Sequence, residues 1–253
     1  MNKLPQITLA FWIMKICATT LGETAGDLLS MTLDVGYAMS SLLLISAFVV
    51  TLLTQLSSKR YHPALYWLVI LSTSTAGTTI SDFMDRTLGL GYAVGSAILI
   101  AILLTIFSVW FLSEKSLSVS RITTRKAELF YWFAILFSNT LGTALGDFLA
   151  DDSGLGFMGG ALLVGSGIAM VAALHYTTRL SSVALFWIAF VLTRPFGATL
   201  GDLLTKPYAK GGLDFGTVGS SAVLLSVLVV LVALASMYNS QRSPAVERLR
   251  DRG

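Results

Sequence analysis

Long apolar runs alternate with short polar links along this chain, and eight runs are long enough to form spanning helices. They cover residues 8–27, 37–56, 64–82, 91–112, 128–147, 156–174, 182–202 and 216–238. Crossing the hydrocarbon core of a bilayer takes about 20 apolar residues in helical form. None shows the period-two alternation and even turn spacing of a membrane barrel, so the pattern predicts helices. The even-numbered runs carry no charged residue, whereas every odd-numbered run carries at least one.

The odd runs repeat one another. Phe11-Trp12 to Asp27 recurs as Tyr66-Trp67 to Asp82, Tyr131-Trp132 to Asp147 and Phe186-Trp187 to Asp202. In each copy the Trp is followed ten residues later by Gly and fifteen later by Asp. Consecutive aspartates lie 55, 65 and 55 residues apart, so the first pair maps onto the second with an offset of 120. Such self-similarity marks a fold built from repeats. Each repeat holds two helices, so all four copies share one orientation. This excludes an inverted-repeat plan and predicts pseudo-two-fold symmetry about the membrane normal, with pseudo-four-fold symmetry left open. The expected halves are 1–120 and 121–240, each with four transmembrane helices, followed by a basic tail at 241–253.

Composition narrows the class. Of 253 residues 55% are apolar and 12% charged, and mean hydropathy is +0.76. Soluble domains carry about a quarter charged residues, so an all-α integral membrane protein of eight transmembrane helices is expected. Its first partner is the lipid bilayer.

Charge is sorted by link. Lys3, Lys59, Arg60, Lys115, Arg121, Arg125, Lys126, Arg179, Arg242, Arg248, Arg250 and Arg252 fall on one side, while Arg86, Lys206 and Lys210 fall on the other. The positive-inside rule then puts both termini in the cytoplasm and the four aspartates outside. The basic tail reads as a cytoplasmic retention signal, and no nucleic-acid partner is expected. A homo-oligomer stays open. The N-terminus reads as a retained helix, because Lys15 interrupts any signal-like apolar region and the segment is itself a repeat copy. Cys17 is the single cysteine, which excludes an internal disulfide.

Small residues recur at four-residue spacing. On odd helices these are Gly22 and Gly26, Gly77 and Ser81, Gly142 and Gly146, and Gly197 and Gly201, extended one turn back to Ala18, Thr73, Ser138 and Thr193. On even helices they are Gly36 and Ser40, Gly91 and Gly95, Gly156 and Gly160, and Gly216 and Ser220. Both series predict close helix packing, since association within lipid relies on backbone approach over small residues. The paired aromatics that open each repeat are expected at the headgroup level as interface anchors. Nine residues lead from Asp to Gly in three outer loops, against fourteen from Asp202 to Gly216, so the fourth is the expected lid.

Residues three or four apart share a helix face. Asp27 thereby aligns with Glu23 and Thr20, Asp82 with Thr78 and Thr75, Asp147 with Thr143 and Thr140, and Asp202 with Ala198 and Arg194. Ionisable groups at membrane depth are costly and face a bundle interior or watery cavity. Carboxylates and hydroxyls suit hard cations such as Mn²⁺, Mg²⁺ or Ca²⁺. The expected metal ligands are Asp27, Asp82, Asp147, Asp202 and Glu23, and the expected path adds Thr20, Thr75, Thr78, Thr140, Thr143, Lys15 and Arg194. A plainer alternative is that each Gly-Asp only ends its helix and caps the next turn. Lys15 and Arg194 read as counter-ions to the acids two turns along their own helices, Glu23 and Asp202, with anion binding as the alternative. Pro195 predicts a kink in the seventh helix. His62 and His175 lie away from the acids and read as interfacial. No Walker-type loop, Ser-His-Asp series or metal-hydrolase motif appears, so no enzyme activity and no cofactor beyond a bound divalent cation are expected.

The stretch Phe11-Trp12-Ile13-Met14-Lys15, through Thr19-Thr20-Leu21-Gly22-Glu23-Thr24 to Gly26-Asp27, resembles with its copies a family of bacterial inner-membrane proteins labelled only as membrane-anchored. The resemblance covers nearly the whole chain. It implies a bacterial inner-membrane location and a repeat-built, multi-spanning fold, and implies no particular activity. From the residues, the leading expectation is a transporter or exporter of a small hard cation, manganese first. A proton-coupled carrier of a small organic solute and a structural or signalling membrane subunit are the alternatives.

Overall fold

The computed structural model describes the backbone of residues 4–250 and the side chains of residues 4–238. Lys3 and the basic side chains of the 241–253 tail lie outside the described residues. Among the described residues eight long α-helices succeed one another: α1 (Leu9–Asp27), α2 (Tyr37–Ser57), α3 (Pro63–Asp82), α4 (Tyr92–Glu114), α5 (Arg125–Asp147), α6 (Gly156–Thr177), α7 (Ser182–Thr205) and α8 (Thr217–Arg250). Six of these, α2 and α4 to α8, are long and apolar enough to cross a membrane. The other two owe their lower hydropathy to what the fold buries. α1 carries Lys15, Glu23 and Asp27, and α3 carries hydroxyls from Ser72 to Thr79, all shielded inside the bundle.

The odd helices close a ring. α1 packs on α3, α3 on α5, α5 on α7, and α7 back on α1. The even helices stand outside it: α2 lies on α3, α4 on α5, α6 on α7, and α8 returns to α1. Each repeat thus covers its successor, and the last covers the first. Outward, the even helices expose Leu42, Leu53, Leu104, Leu162 and Val223. So many exposed large apolar side chains on every outer helix suit lipid rather than water.

Glycines set the ring's radius, and they do so cyclically. Gly22 lies against Ser74, Gly77 against Asn139 and Thr140, Gly142 against Arg194 and Pro195, and Gly197 against Thr19. One turn on, Gly26 meets Thr78, Gly146 meets Ala198 and Gly201 meets Glu23. A Cβ at Gly201 would stand 2.9 Å from the Glu23 Cβ, closer than real side chains approach. The small-residue reading therefore holds for the odd helices. It needs correction on the even ones: Gly36 and Gly216 have φ of 77° and 69° with open space where a Cβ would be. They serve turn conformation, which L side chains resist, and the packing members are Ser40, Gly95, Gly160 and Ser220.

The aromatics also depart from expectation. Trp67, Trp132 and Trp187 are buried between helices rather than exposed on the outer surface. Phe11 touches Trp67 (5.7 Å between centroids), Tyr66 touches Trp132 (5.5 Å), Tyr131 touches Trp187 (6.1 Å) and Phe186 touches Trp12 (5.7 Å). Each pair joins one repeat to the next. The anchor expectation fails because a ring of four helices offers these side chains an interior that a single helix lacks. The buried Tyr66 and Tyr131 hydroxyls meet at 2.7 Å.

Three odd helices end in a five-residue π-helical turn, at Leu28–Thr32, Phe83–Thr87 and Phe148–Asp152. In none of them does the preceding Asp side chain cap the turn, so the capping-only reading is not supported. The longer fourth loop folds back on α7 instead, with the Leu213 and Phe215 amides donating to the Leu203 and Leu204 carbonyls at 2.7 and 2.9 Å. α7 runs through Pro195 without interruption.

Candidate metal centre

Steps of four residues rise about 6 Å along a helix, and the repeat therefore stacks side chains in layers. Asp27, Asp82, Asp147 and Asp202 form the first, all buried at one end of the ring. Glu23, Thr78, Thr143 and Ala198 form the second; Thr19, Ser74, Asn139 and Arg194 the third. Beneath them come Lys15, Ile70, Ile135 and Phe190, then Phe11, Tyr66, Tyr131 and Phe186.

Two cations tie the aspartates in pairs. Arg86 Nε lies 3.0 Å from Asp82 Oδ1 and its Nη2 donates to Asp147 Oδ2 at 3.0 Å. Lys206 Nζ donates to Asp27 Oδ2 at 2.7 Å and lies 3.1 Å from Asp202 Oδ1. Sequence reasoning treated both as ordinary loop charges. The signal was present: Met31, Arg86, Asp151 and Lys206 occupy one repeat position, four residues after each Asp. Burial alone would lower the Lys206 ammonium, but Asp202 and Asp27 outweigh that and hold it above the ordinary lysine range. The ion pairs do not satisfy every oxygen. Neither Asp82 oxygen, nor Asp202 Oδ1, has a partner in good hydrogen-bond geometry.

Arg194 fills the middle of the ring. It is wholly buried, with Nη1 donating to Glu23 Oε2 at 2.9 Å and to the Thr19 carbonyl at 3.2 Å. Nη2 reaches the Ser74 carbonyl at 3.2 Å, Thr143 Oγ1 at 2.8 Å and Thr78 Oγ1. The Thr143 hydroxyl donates onward to Glu23 Oε2 at 3.2 Å, and the Thr78 hydroxyl lies 3.2 Å from that oxygen and from the Gly22 and Ser74 carbonyls. All four odd helices meet on this one ion pair. The expected pairing of Arg194 with Asp202 is corrected: Gly142 leaves room for the Arg194 side chain to turn into the ring and reach Glu23 on the neighbouring α1.

Other expected residues divide. Thr78 and Thr143 join the site, whereas the Thr20, Thr75 and Thr140 hydroxyls bond carbonyls of their own helices, of Ile16, Leu71 and Leu136. Lys15 does not pair with Glu23. Its Nζ donates to Asn139 Oδ1 at 3.3 Å and lies 4.1 Å from the centroid of the Phe190 ring. Asn139, which sequence reasoning passed over, is oriented by its amide donating to Thr73 Oγ1 at 2.9 Å.

Glu23, Asp147 and Asp202 each present an oxygen within 4.8 Å of the other two. Oxygen ligands of one Mg²⁺ or Ca²⁺ lie ~2.0–2.6 Å from the metal, hence up to about 5 Å apart. The donor set therefore fits a hard cation. Charge favours one as well: in the carboxylate layers five carboxylates face the three cations Arg86, Arg194 and Lys206, leaving two negative charges over when all are ionised, before the deeper Lys15 is counted.

A family model described as Repeat of Unknown Function (DUF347) matches four segments, residues 10–61, 65–116, 130–181 and 185–241. Each segment is one structural repeat. Neither the curated proteins nor the solved structures contain a match to the chain.

Proposed function

The chain belongs to the family described as Repeat of Unknown Function (DUF347), and from the site's geometry we propose that it carries a small hard divalent cation across a membrane. Manganese is the first choice, with magnesium and calcium next. In this reading all eight helices span the bilayer, including α1 and α3, which the other helices shield from lipid. The four repeats share one orientation about an axis along the membrane normal. Both termini face the cytoplasm of a bacterial inner membrane, and the aspartate layer opens outward.

One observation carries the reading. Glu23, Asp147 and Asp202 converge within 4.8 Å in carboxylate layers that hold two more negative charges than the cations paired with them. A divalent ion would complete that balance, and Asp82, with both oxygens lacking good hydrogen bonds, is a further ligand at hand. Arg86 and Lys206 hold the aspartates until the cation arrives and competes for them. An organic anion fits less well, because the Arg194 Nη groups already serve Glu23, Thr19, Ser74, Thr78 and Thr143. A purely structural role fits less well too, since packing alone gives no reason for five buried carboxylates, three of which converge.

The test is Mn²⁺ uptake into proteoliposomes. Asp147→Asn and Asp202→Asn should abolish uptake, and Asp27→Asn and Asp82→Asn should reduce it. If all four variants carry Mn²⁺ like the wild type, the proposal is wrong.

A further inference from the structure

Among the described residues two basic side chains are wholly buried, and only one of them has a carboxylate partner. Arg194 has Glu23. Lys15, one layer deeper, has a single hydrogen bond at 3.3 Å to Asn139 Oδ1 and the face of Phe190. An ammonium has three donors, so two are left to the ring face and the apolar wall. Packing does not require a lysine there: the same position is Ile70, Ile135 and Phe190 in the other repeats. A residue that is costly at this depth and unnecessary for the fold needs a task.

Its neighbours narrow that task. Arg194, on α7, is the charged group acting on Lys15, and the two repel. α5 offers the Asn139 amide. α3 carries no charge before Asp82, and α8 carries none through Tyr238. On the far side, one turn further from the aspartates, stands the hydroxyl pair of Tyr66 and Tyr131. Glu23 Oε2 thus neutralises Arg194, and Arg194 bears on Lys15. When Glu23 turns to a cation, the guanidinium loses compensation and its repulsion of the ammonium grows.

We propose that Lys15 is the proton-exchanging residue of the carrier, so that a divalent cation bound at Glu23, Asp147 and Asp202 drives one proton off Lys15 and toward the tyrosine end. The inference rests on the cation-carrier reading above and adds its coupling. In the forward step the Lys15 N–H bond breaks, the amine keeps the electron pair, and water beyond the Tyr66 and Tyr131 hydroxyls takes the proton. In reverse, protonation of Lys15 returns Arg194 to Glu23 and expels the cation. A cation at the carboxylates and a proton on Lys15 therefore exclude one another, and each trades for the other.

The experiment uses the full chain, with MnCl₂ as probe. Calorimetric titration in buffers of different ionisation enthalpy counts protons released per Mn²⁺, and a pH dye trapped in proteoliposomes reports exchange. The wild type should release one proton more per Mn²⁺ than Lys15→Met, which should still bind Mn²⁺ while its uptake ignores a pH gradient. Lys15→Ile, the residue of the second and third repeats, replaces it if Lys15→Met does not fold. Lys15→Arg, which keeps its charge, should bind Mn²⁺ about tenfold more weakly and exchange no protons. A merely structural lysine gives the opposite order, with Lys15→Arg close to wild type and Lys15→Met impaired. That order, or an unchanged proton count in Lys15→Met, overturns the inference alone. A wild type that binds no Mn²⁺ overturns the carrier reading and this inference with it.

Discussion

Arg86 and Lys206 stand at the same position of alternate repeats, and each ties the aspartate of its own repeat to that of the next. The first and third repeats place Met31 and Asp151 there instead. The four-fold ring of carboxylates is thereby reduced to two-fold symmetry by two cations, which are the nearest competitors of any bound metal ion.

Removing either competitor should tighten metal binding. Arg86→Gln and Lys206→Gln are each expected to raise Mn²⁺ affinity on the order of tenfold, equivalent to about 1.4 kcal/mol, as read by calorimetric titration. Lys206 is held above the ordinary lysine value of 10.5, so its ammonium keeps its charge below that value and gives up its proton only as pH rises above it. The difference between Lys206→Gln and wild type should therefore stay flat through neutral pH. Weaker binding in both variants would show that these residues assemble the site rather than compete for it.

The Glu23–Arg194 pair should behave as a buried unit. Breaking it by Arg194→Met alone is expected to cost about 3–5 kcal/mol, because Glu23 is then left as an uncompensated buried charge. The double variant Glu23→Leu/Arg194→Met should recover most of this while losing Mn²⁺ binding. Unfolding in detergent with increasing denaturant measures both.

Ring closure predicts a sharp contrast among glycines. Gly142→Ala places a methyl group against Arg194 and Pro195 and should cost about 1–3 kcal/mol. Gly219→Ala, on α8 with nothing within 4 Å, should be neutral or stabilise by up to about 1 kcal/mol. Thermal melts of the two variants settle the comparison.

A fourth prediction concerns the aromatic ring. Trp132→Ala should cost about 3–5 kcal/mol, as for a core tryptophan, while the half-buried Trp12 should cost less. Denaturant unfolding of each variant separates a buried ring from a set of interface anchors, for which both losses would be small.

The helices, their repeat and the aspartate positions were legible in the sequence, because hydrophobic runs and equal spacings are local properties of the chain. Partners across the ring were not. Arg194 lies two turns before Asp202 on its own helix, and nothing along the chain says that it crosses to Glu23, 171 residues away. The tryptophans misled for a similar reason: an aromatic pair opening an apolar run looks alike at an interface and inside a ring. Arg86 and Lys206 were recoverable from their shared repeat position, but only once a π-helical turn or a folded-back loop is known to keep position i+4 beside its aspartate.

The central claim is that Glu23, Asp147 and Asp202 hold one hard cation. Electron paramagnetic resonance of Mn²⁺ at equilibrium with the purified full-length protein tests it most directly. One Mn²⁺ should bind per chain in the wild type and in Asp34→Asn, which alters an exposed aspartate, and none in Glu23→Gln or Asp202→Asn. No bound Mn²⁺ in the wild type, or undiminished binding in both site variants, would contradict the account.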